Sequence, residues 1–167
     1  PWMKSHHLGD INILVSFALL PALGTFFVAV GSYDPQSLLM ILPIGLITVA
    51  ILHANNTRDV KTDRLAGLGT ITTSVSLMNA KAIYTFEIFA PYALALLYVV
   101  LLGQPWTLLA VVLTLPLALR NVRTMIQAED DLPYRGIQRL DQTTAQLQMA
   151  FGLLYALGFF LGSWLGV

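Results

Sequence analysis

There is no cysteine in this chain, which removes disulfides and thiolate metal centres as sources of structure or chemistry. Charge is scarce as well: Asp, Glu, Lys and Arg make up 11% of the residues, against about 25% in soluble domains. The formal net charge is +0 and no basic run is present, so nothing points to nucleic acid as a partner. The opening stretch PWMKSHHLGD has neither a basic n-region nor a small-residue cleavage site and does not read as a signal peptide. A chain that opens on Pro1 is expected to be a fragment or a processed product. Also missing is the apolar–polar alternation of barrel strands.

What is present is hydrocarbon, at 56% of residues. A bilayer core about 30 Å thick asks for about 20 apolar residues per helical crossing. Five runs meet or approach that, at residues 11–31, 37–54, 82–103, 106–119 and 145–165. The fourth is short and reaches across only if Arg120 and Arg123 snorkel at its end. The expected fold class is all-α, a polytopic transmembrane helix bundle forming one membrane domain in the lipid bilayer. Pro21, Pro43 and Pro91 fall inside runs, where kinks are tolerated if neighbouring helices take up the freed carbonyls.

The basic residues are Lys4, Arg58, Lys61, Arg64, Lys81, Arg120, Arg123, Arg135 and Arg139. Each precedes the first run, separates the second from the third, or surrounds the connection from the fourth to the fifth. By the positive-inside rule the N-terminal segment and both long connections, residues 55–81 and 120–144, face the cytoplasm. Long connections in compact proteins tend to carry function, so the working face is expected there.

The first of them opens NNTRDVKTDRLAG. On a helix leaving the second run, Asn55, Asp59 and Asp63 are spaced i, i+4, i+8 and share a face. Two carboxylates a turn apart suit a hard cation, and Mg²⁺ favours few carboxylates completed by water and phosphate oxygens. Arg58, Lys61 and Arg64 stand beside them, able to hold phosphate charge. Gly67 and Gly69 then loosen the chain, as a flexible cover over such a site would. Spacing alone leaves a second reading open, a solvated loop whose positive charges anchor topology.

The same stretch resembles the second aspartate motif of the UbiA-type intramembrane prenyltransferases, most closely the menaquinone branch with its pattern Asn-Asn-x-Arg-Asp-x3-Asp-x3-Gly. LGDINILVSFALLPALGTFFVAVGS is similar to the span before that motif, and LDQTTAQLQMAFGLLYALG to the last span. The resemblance implies transfer of a polyprenyl group from a polyprenyl diphosphate to an aromatic acceptor, in this branch 1,4-dihydroxy-2-naphthoate, with Mg²⁺ holding the diphosphate. It further implies Asp59 and Asp63 as metal ligands, Asn55 and Asn56 as orienting groups and Arg58 as a diphosphate contact, with Lys61 and Arg64 as secondary contacts. The implied setting is a bacterial inner membrane with the site on its cytoplasmic side.

Family members have nine spans and an earlier Asn-x3-Asp-x3-Asp motif, whereas the five runs here match the last five. The chain is therefore expected to be the C-terminal half of a larger prenyltransferase, inactive without the missing N-terminal half and its first aspartate motif. Gly67-Leu68 stands where many bacterial relatives have Gly-Lys, and Ile71 where Leu is usual. The rival from another class is a non-catalytic membrane subunit or transporter half, with docking loops and Glu87 in ion coupling.

Other polar residues are quieter. Glu87 lies inside the third run, where it is expected to snorkel or stay protonated. His53 sits at the mouth of the second run, to contact an aromatic substrate or cap the helix. The adjacent His6 and His7 lack a third ligand for zinc. Glu129, Asp130 and Asp131 before Pro133 read as turn residues, and Asp141 as a helix start. Arg135 and Arg139 are expected to anchor topology. Trp2, Trp106 and Trp164 fall near the proposed interfaces.

Overall fold

The computed structural model describes residues 9–129 and 135–167. The expectations for Trp2, Lys4, His6, His7, Asp130, Asp131 and Pro133 lie outside the described residues. Five helices are long and apolar enough to cross a membrane: α1 (Ile11–Val30), α2 (Pro35–Leu65), α4 (Leu77–Leu102), α5 (Trp106–Ile126) and α6 (Leu140–Leu165). A single turn, α3 (Ile71–Ser74), lies between α2 and α4. No strand occurs among the described residues, so the fold is all-α as expected.

Helix α4 runs on through Pro91, and Pro21, Pro35 and Pro43 are each accommodated in an identifiable way. Ahead of Pro21, α1 widens into a π-helical turn over Leu14–Leu19, where the Leu20 N–H reaches back to the Val15 carbonyl. That wider turn spares the clash a proline ring makes with an α-helical carbonyl four residues back. Pro35 takes the first position of α2, and the Asp34 side chain accepts from the Gln36 N–H at 3.0 Å, a start signal written into the sequence. Helix α2 then runs on through Pro43, whose missing N–H frees the Leu39 carbonyl. Tyr98 of α4 donates to that oxygen at 2.6 Å, and Tyr155 of α6 donates to the next carbonyl, Met40, at 3.0 Å. Neighbouring helices thus supply what the proline removes, as the sequence led us to expect.

Helix α2 packs against both α4 and α6, α6 packs against the start of α5, and α1 lies against α2. One apolar core gathers Ala50, Ala54, Tyr84, Ile88, Ala118, Val122, Met125 and Leu147. A second gathers Ile47, Ala95, Leu108, Val111, Phe151 and Tyr155. The two cores stack along the bundle, the first at the end where α2 turns polar. The opening of α5, Trp106–Thr114, is a 3₁₀-helix and is gripped by α6 through small residues. A methyl group added at Gly158 would stand 2.9 Å from the Leu108 Cα and the Thr107 carbonyl oxygen, and one at Gly162 would strike the Pro105 ring. Two glycines a turn apart therefore bring backbone onto backbone, a contact that replaces hydrophobic driving force between helices in lipid. Thr107 Oγ1 adds a hydrogen bond of 2.5 Å to the Gly158 carbonyl.

The helices overrun the apolar runs at the polar ends, so the connections are shorter than hydropathy implied. Between α2 and α4 the non-helical remainder is residues 66–70 and 75–76, because residues 55–65 continue α2 and Leu77 already begins α4. Lys81, one of the basic residues counted for orientation, caps another helix: its Nζ donates to the Ile126 carbonyl at 2.8 Å and the Ala128 carbonyl at 2.6 Å. A cation at a helix C-terminus neutralises the unpaired carbonyls there.

Candidate active site

Asn, Thr and Asp are mediocre helix formers, yet NNTRDVKTDRL holds its helix. The reason is one buried face. Ala50, His53, Ala54, Thr57 and Val60 recur at helical spacing and are all buried, and Thr57 Oγ1 donates to the His53 carbonyl at 2.8 Å. The helix stops on a Schellman motif. Leu68 N–H bonds the Asp63 carbonyl and Gly67 N–H the Arg64 carbonyl, with Gly67 at φ 67°, a backbone that favours glycine. Gly67 is thus a helix terminator rather than a loosening element. Beyond it, Thr70 and Thr73 cap α3 reciprocally.

Along α2, Asn55, Asn56, Arg58, Asp59 and Asp63 are half-buried, and Lys61 and Arg64 are exposed. Arg58 organises the cluster. Its Nε lies 2.8 Å from Asp59 Oδ1 and its Nη2 2.9 Å from Asp59 Oδ2, the two-pronged fork in which a guanidinium fits a carboxylate. Nη2 also donates to Asn55 Oδ1. Nη1 donates to Asp141 Oδ2 of α6 at 2.8 Å. Three oxygen-bearing side chains from two helices thus surround one cation. Asn56 lies outside this group, and Asp63 follows Asp59 by one helical turn on the same helix.

Cavities flank the cluster on two sides. One, of about 280 Å³, is walled by Ile13 and Phe17 of α1 and by Thr48, Ile51 and Leu52 of α2, and it ends at Asn55 and Asp141. The other, of about 310 Å³, is lined by Arg58, Asp59, Lys61, Thr62 and Gln138. A groove walled by apolar side chains therefore abuts a cavity lined by charged and polar residues, with Arg58, Asn55 and Asp141 at their junction. Arg64 lies elsewhere: it and Lys61 border a smaller hollow of about 60 Å³ with Thr57 and Thr72.

His53 departs from expectation, as does Glu87 from the snorkelling half of its own. Neither sits at the mouth or snorkels. His53 is fully buried on α2, with Nδ1 3.4 Å from Glu87 Oε2 of α4. The contact is close but not aligned as a hydrogen bond, and neither ring nitrogen has a hydrogen-bond partner. Tyr84, whose ring centroid is 6.3 Å from that of His53, lies with its hydroxyl 2.6 Å from Thr144 Oγ1. Arg139, expected as an anchor, borders a cavity with Arg120 away from the Arg58 cluster.

Asp141 is the residue that the sequence underrated. It sits inside the first turn of α6, after Arg139 in the cap position, and its side chain reaches across to α2. Only the acidic residue at a helix start signalled it, and that signal says nothing of a partner 83 positions away.

Whether a hard divalent cation suits the cluster is decided by its donors. Asn55 Oδ1, both oxygens of Asp59 and Asp141 Oδ2 already converge on one positive group. They are oxygens only, which matches Mg²⁺. Among the described residues no three His, Cys, Asp or Glu side chains form a metal cage by themselves.

Residues 1–135 match the model of the UbiA prenyltransferase family. The chain is 34% identical over 158 residues to "UbiA prenyltransferase domain-containing protein 1" of Xenopus tropicalis, covering 92% of this chain and 42% of that protein. Identity to the Homo sapiens protein of the same description is 33% over 155 residues, covering 92% and 43%. A Drosophila melanogaster homolog is 34% identical over 154 residues, covering 89% and 39%. The chain thus spans less than half the length of these relatives. All three are animal proteins, which gives no support to the expected bacterial inner membrane.

Proposed function

Because the chain belongs to the UbiA prenyltransferase family, we propose that the junction around Arg58 binds a polyprenyl diphosphate and serves transfer of its prenyl group to an aromatic acceptor. The observation that carries this reading is the apolar groove ending on Asn55 and Asp141 beside a cavity lined by Arg58, Asp59, Lys61 and Thr62. A prenyl diphosphate has the same two halves, a branched hydrocarbon and a dense anion. Ile13, Phe17, Ile51 and Leu52 would take the hydrocarbon, removing it from water. Arg58 and Lys61 would take the anion.

In the reaction the allylic C–O bond breaks and its electron pair leaves with the diphosphate. A carbon of the acceptor ring supplies the pair for the new C–C bond. With a 1,4-dihydroxy-2-naphthoate-like acceptor, loss of the carboxyl group as CO₂ returns a pair to the ring, the chemistry of menaquinone biosynthesis. Charge grows on the departing oxygens, so donors fixed before the event lower the barrier most. Asp59 and Asp63 would hold Mg²⁺, which when bound supplies Lewis-acid stabilisation of that charge. Asn55 and Asn56 would orient the head group, and Arg58, with Lys61 and Arg64 outside it, would neutralise the remainder. The other wall, with a first aspartate motif, would come from the part of the relatives' length that this chain does not match. The placement of basic residues supports a site on the cytoplasmic side.

The test is an assay of the full-length protein with prenyl diphosphates of several lengths and with naphthoate and hydroxybenzoate acceptors, with and without Mg²⁺. A prenylated ring formed only with Mg²⁺ is expected. No product from any pair overturns the reading and favours the non-catalytic membrane subunit.

A further inference from the structure

Asp59 spends both carboxylate oxygens on Arg58. Each oxygen keeps a lone pair for a metal ion, but a cation bound there stands against the guanidinium charge on the same carboxylate, so cation binding weakens the Arg58 fork. When the fork opens, Arg58 would leave the site unless something else held it. Asn55 Oδ1 holds Nη2 from the same helix, and the charged second anchor is Asp141, whose Oδ2 takes Nη1 at 2.8 Å from another helix. Asp141 is itself fixed, since its Oδ1 accepts from the Gln142 N–H at 2.9 Å and its charge sits in the first turn of α6, where the helix dipole favours an anion.

Resting on the prenyltransferase reading above, we propose that Asp141 is a positioning residue: it retains Arg58 at the head of the groove when a divalent cation takes Asp59, leaving Nε and Nη2 to bind diphosphate oxygens. The guanidinium is suited to this exchange because it presents several donors in one plane. One edge stays on Asp141 while the other passes from carboxylate to phosphate. Without Asp141, Asp59 is the one carboxylate partner Arg58 keeps among the described residues, and the cation must draw it away from there.

The experiment compares full-length wild type, Asp141→Asn and Asp141→Glu in detergent. In Asp141→Asn the Mg²⁺ concentration for half-maximal rate and the KM for prenyl diphosphate are each expected to rise about tenfold, and Asp141→Glu to restore both to within about threefold. A second readout needs no turnover. Mg²⁺ with inorganic pyrophosphate should raise the thermal unfolding midpoint of the wild type, and Asp141→Asn should need about ten times more Mg²⁺ for the same rise. In an Arg58→Ala background Asp141→Asn should add less than twofold to any of these, because it acts through Arg58. Should Asp141→Asn not fold, Arg58→Lys carries the test, since a point charge cannot hold Asp141 and a phosphate edge together. It should give a comparable rise in KM, and a wild-type KM overturns the proposal. Unchanged Mg²⁺ dependence in Asp141→Asn, or a lower basal midpoint with no Mg²⁺ shift, overturns it too and leaves a simple helix tie. A wild type that transfers no prenyl group fails the enzyme reading instead, and Asp141 is then judged on the pyrophosphate stabilisation alone.

Discussion

Arg58 and His53 project from the same helix, five positions and so about 140° apart around its axis, and each meets a carboxylate from another helix. The Arg58–Asp141 contact is 2.8 Å between side chains 26% and 22% exposed. The His53–Glu87 contact is 3.4 Å between side chains 0% and 7% exposed. The first is well formed and within reach of water, so its partners can be exchanged for a ligand at little cost in solvation. The second is poorly aligned and sealed between α2 and α4, so any change of partner leaves a polar group stranded. Burial, more than distance, divides a contact that can take part in binding from one that fixes packing.

That division is tested most severely by Asp59→Ala. In the full-length protein Mg²⁺-dependent prenyl transfer should fall at least about a hundredfold, while the thermal midpoint stays within a few degrees of wild type. Wild-type activity in this variant removes the site assignment. At the sealed contact the outcome should invert. Glu87→Leu leaves His53 without its acidic neighbour and should lower stability by about 1–3 kcal/mol, with the KM for prenyl diphosphate within twofold. A large KM change with no loss of stability would place Glu87 in the binding machinery. Tyr84→Phe, which removes the hydroxyl from Thr144, should cost about 1 kcal/mol in denaturant unfolding and leave transfer intact. Salt separates the two contacts most finely. Between low and high ionic strength the Debye length shrinks from about 10 Å at 0.1 M to about 3 Å at 1 M. The Mg²⁺ shift caused by Asp141→Asn should contract, whereas the stability loss in Glu87→Leu should not move.

Number, order and type of the helices followed from hydropathy, since lipid enforces long apolar helices. Their ends did not. Hydropathy falls at residue 54, but Ala54, Thr57 and Val60 continue a buried face, and packing carries α2 on to Leu65. Within the site, the grouping of Asn55, Arg58 and Asp59 was readable because residues three and four apart on a helix are neighbours. Asp141 and Glu87 were not, for the same physical reason. Both owe their partners to helix packing across long stretches of chain, which no local period encodes. The sequence offered snorkelling or protonation for Glu87 because it located the residue by depth, and only the bundle shows which way it points.

The tight winding at the start of α5 bears on how this protein fits a bilayer. A 3₁₀-helix rises about 2.0 Å per residue against about 1.5 Å for an α-helix. Over Trp106–Thr114 that lengthens the segment by about 4–5 Å, roughly three residues' worth of ordinary helix. A segment with too few apolar residues is stretched toward the full hydrocarbon thickness, and the glycine clasp from α6 keeps it drawn out. Relaxing that clasp would shorten the crossing and pull Arg120 and Arg123 toward the lipid tails.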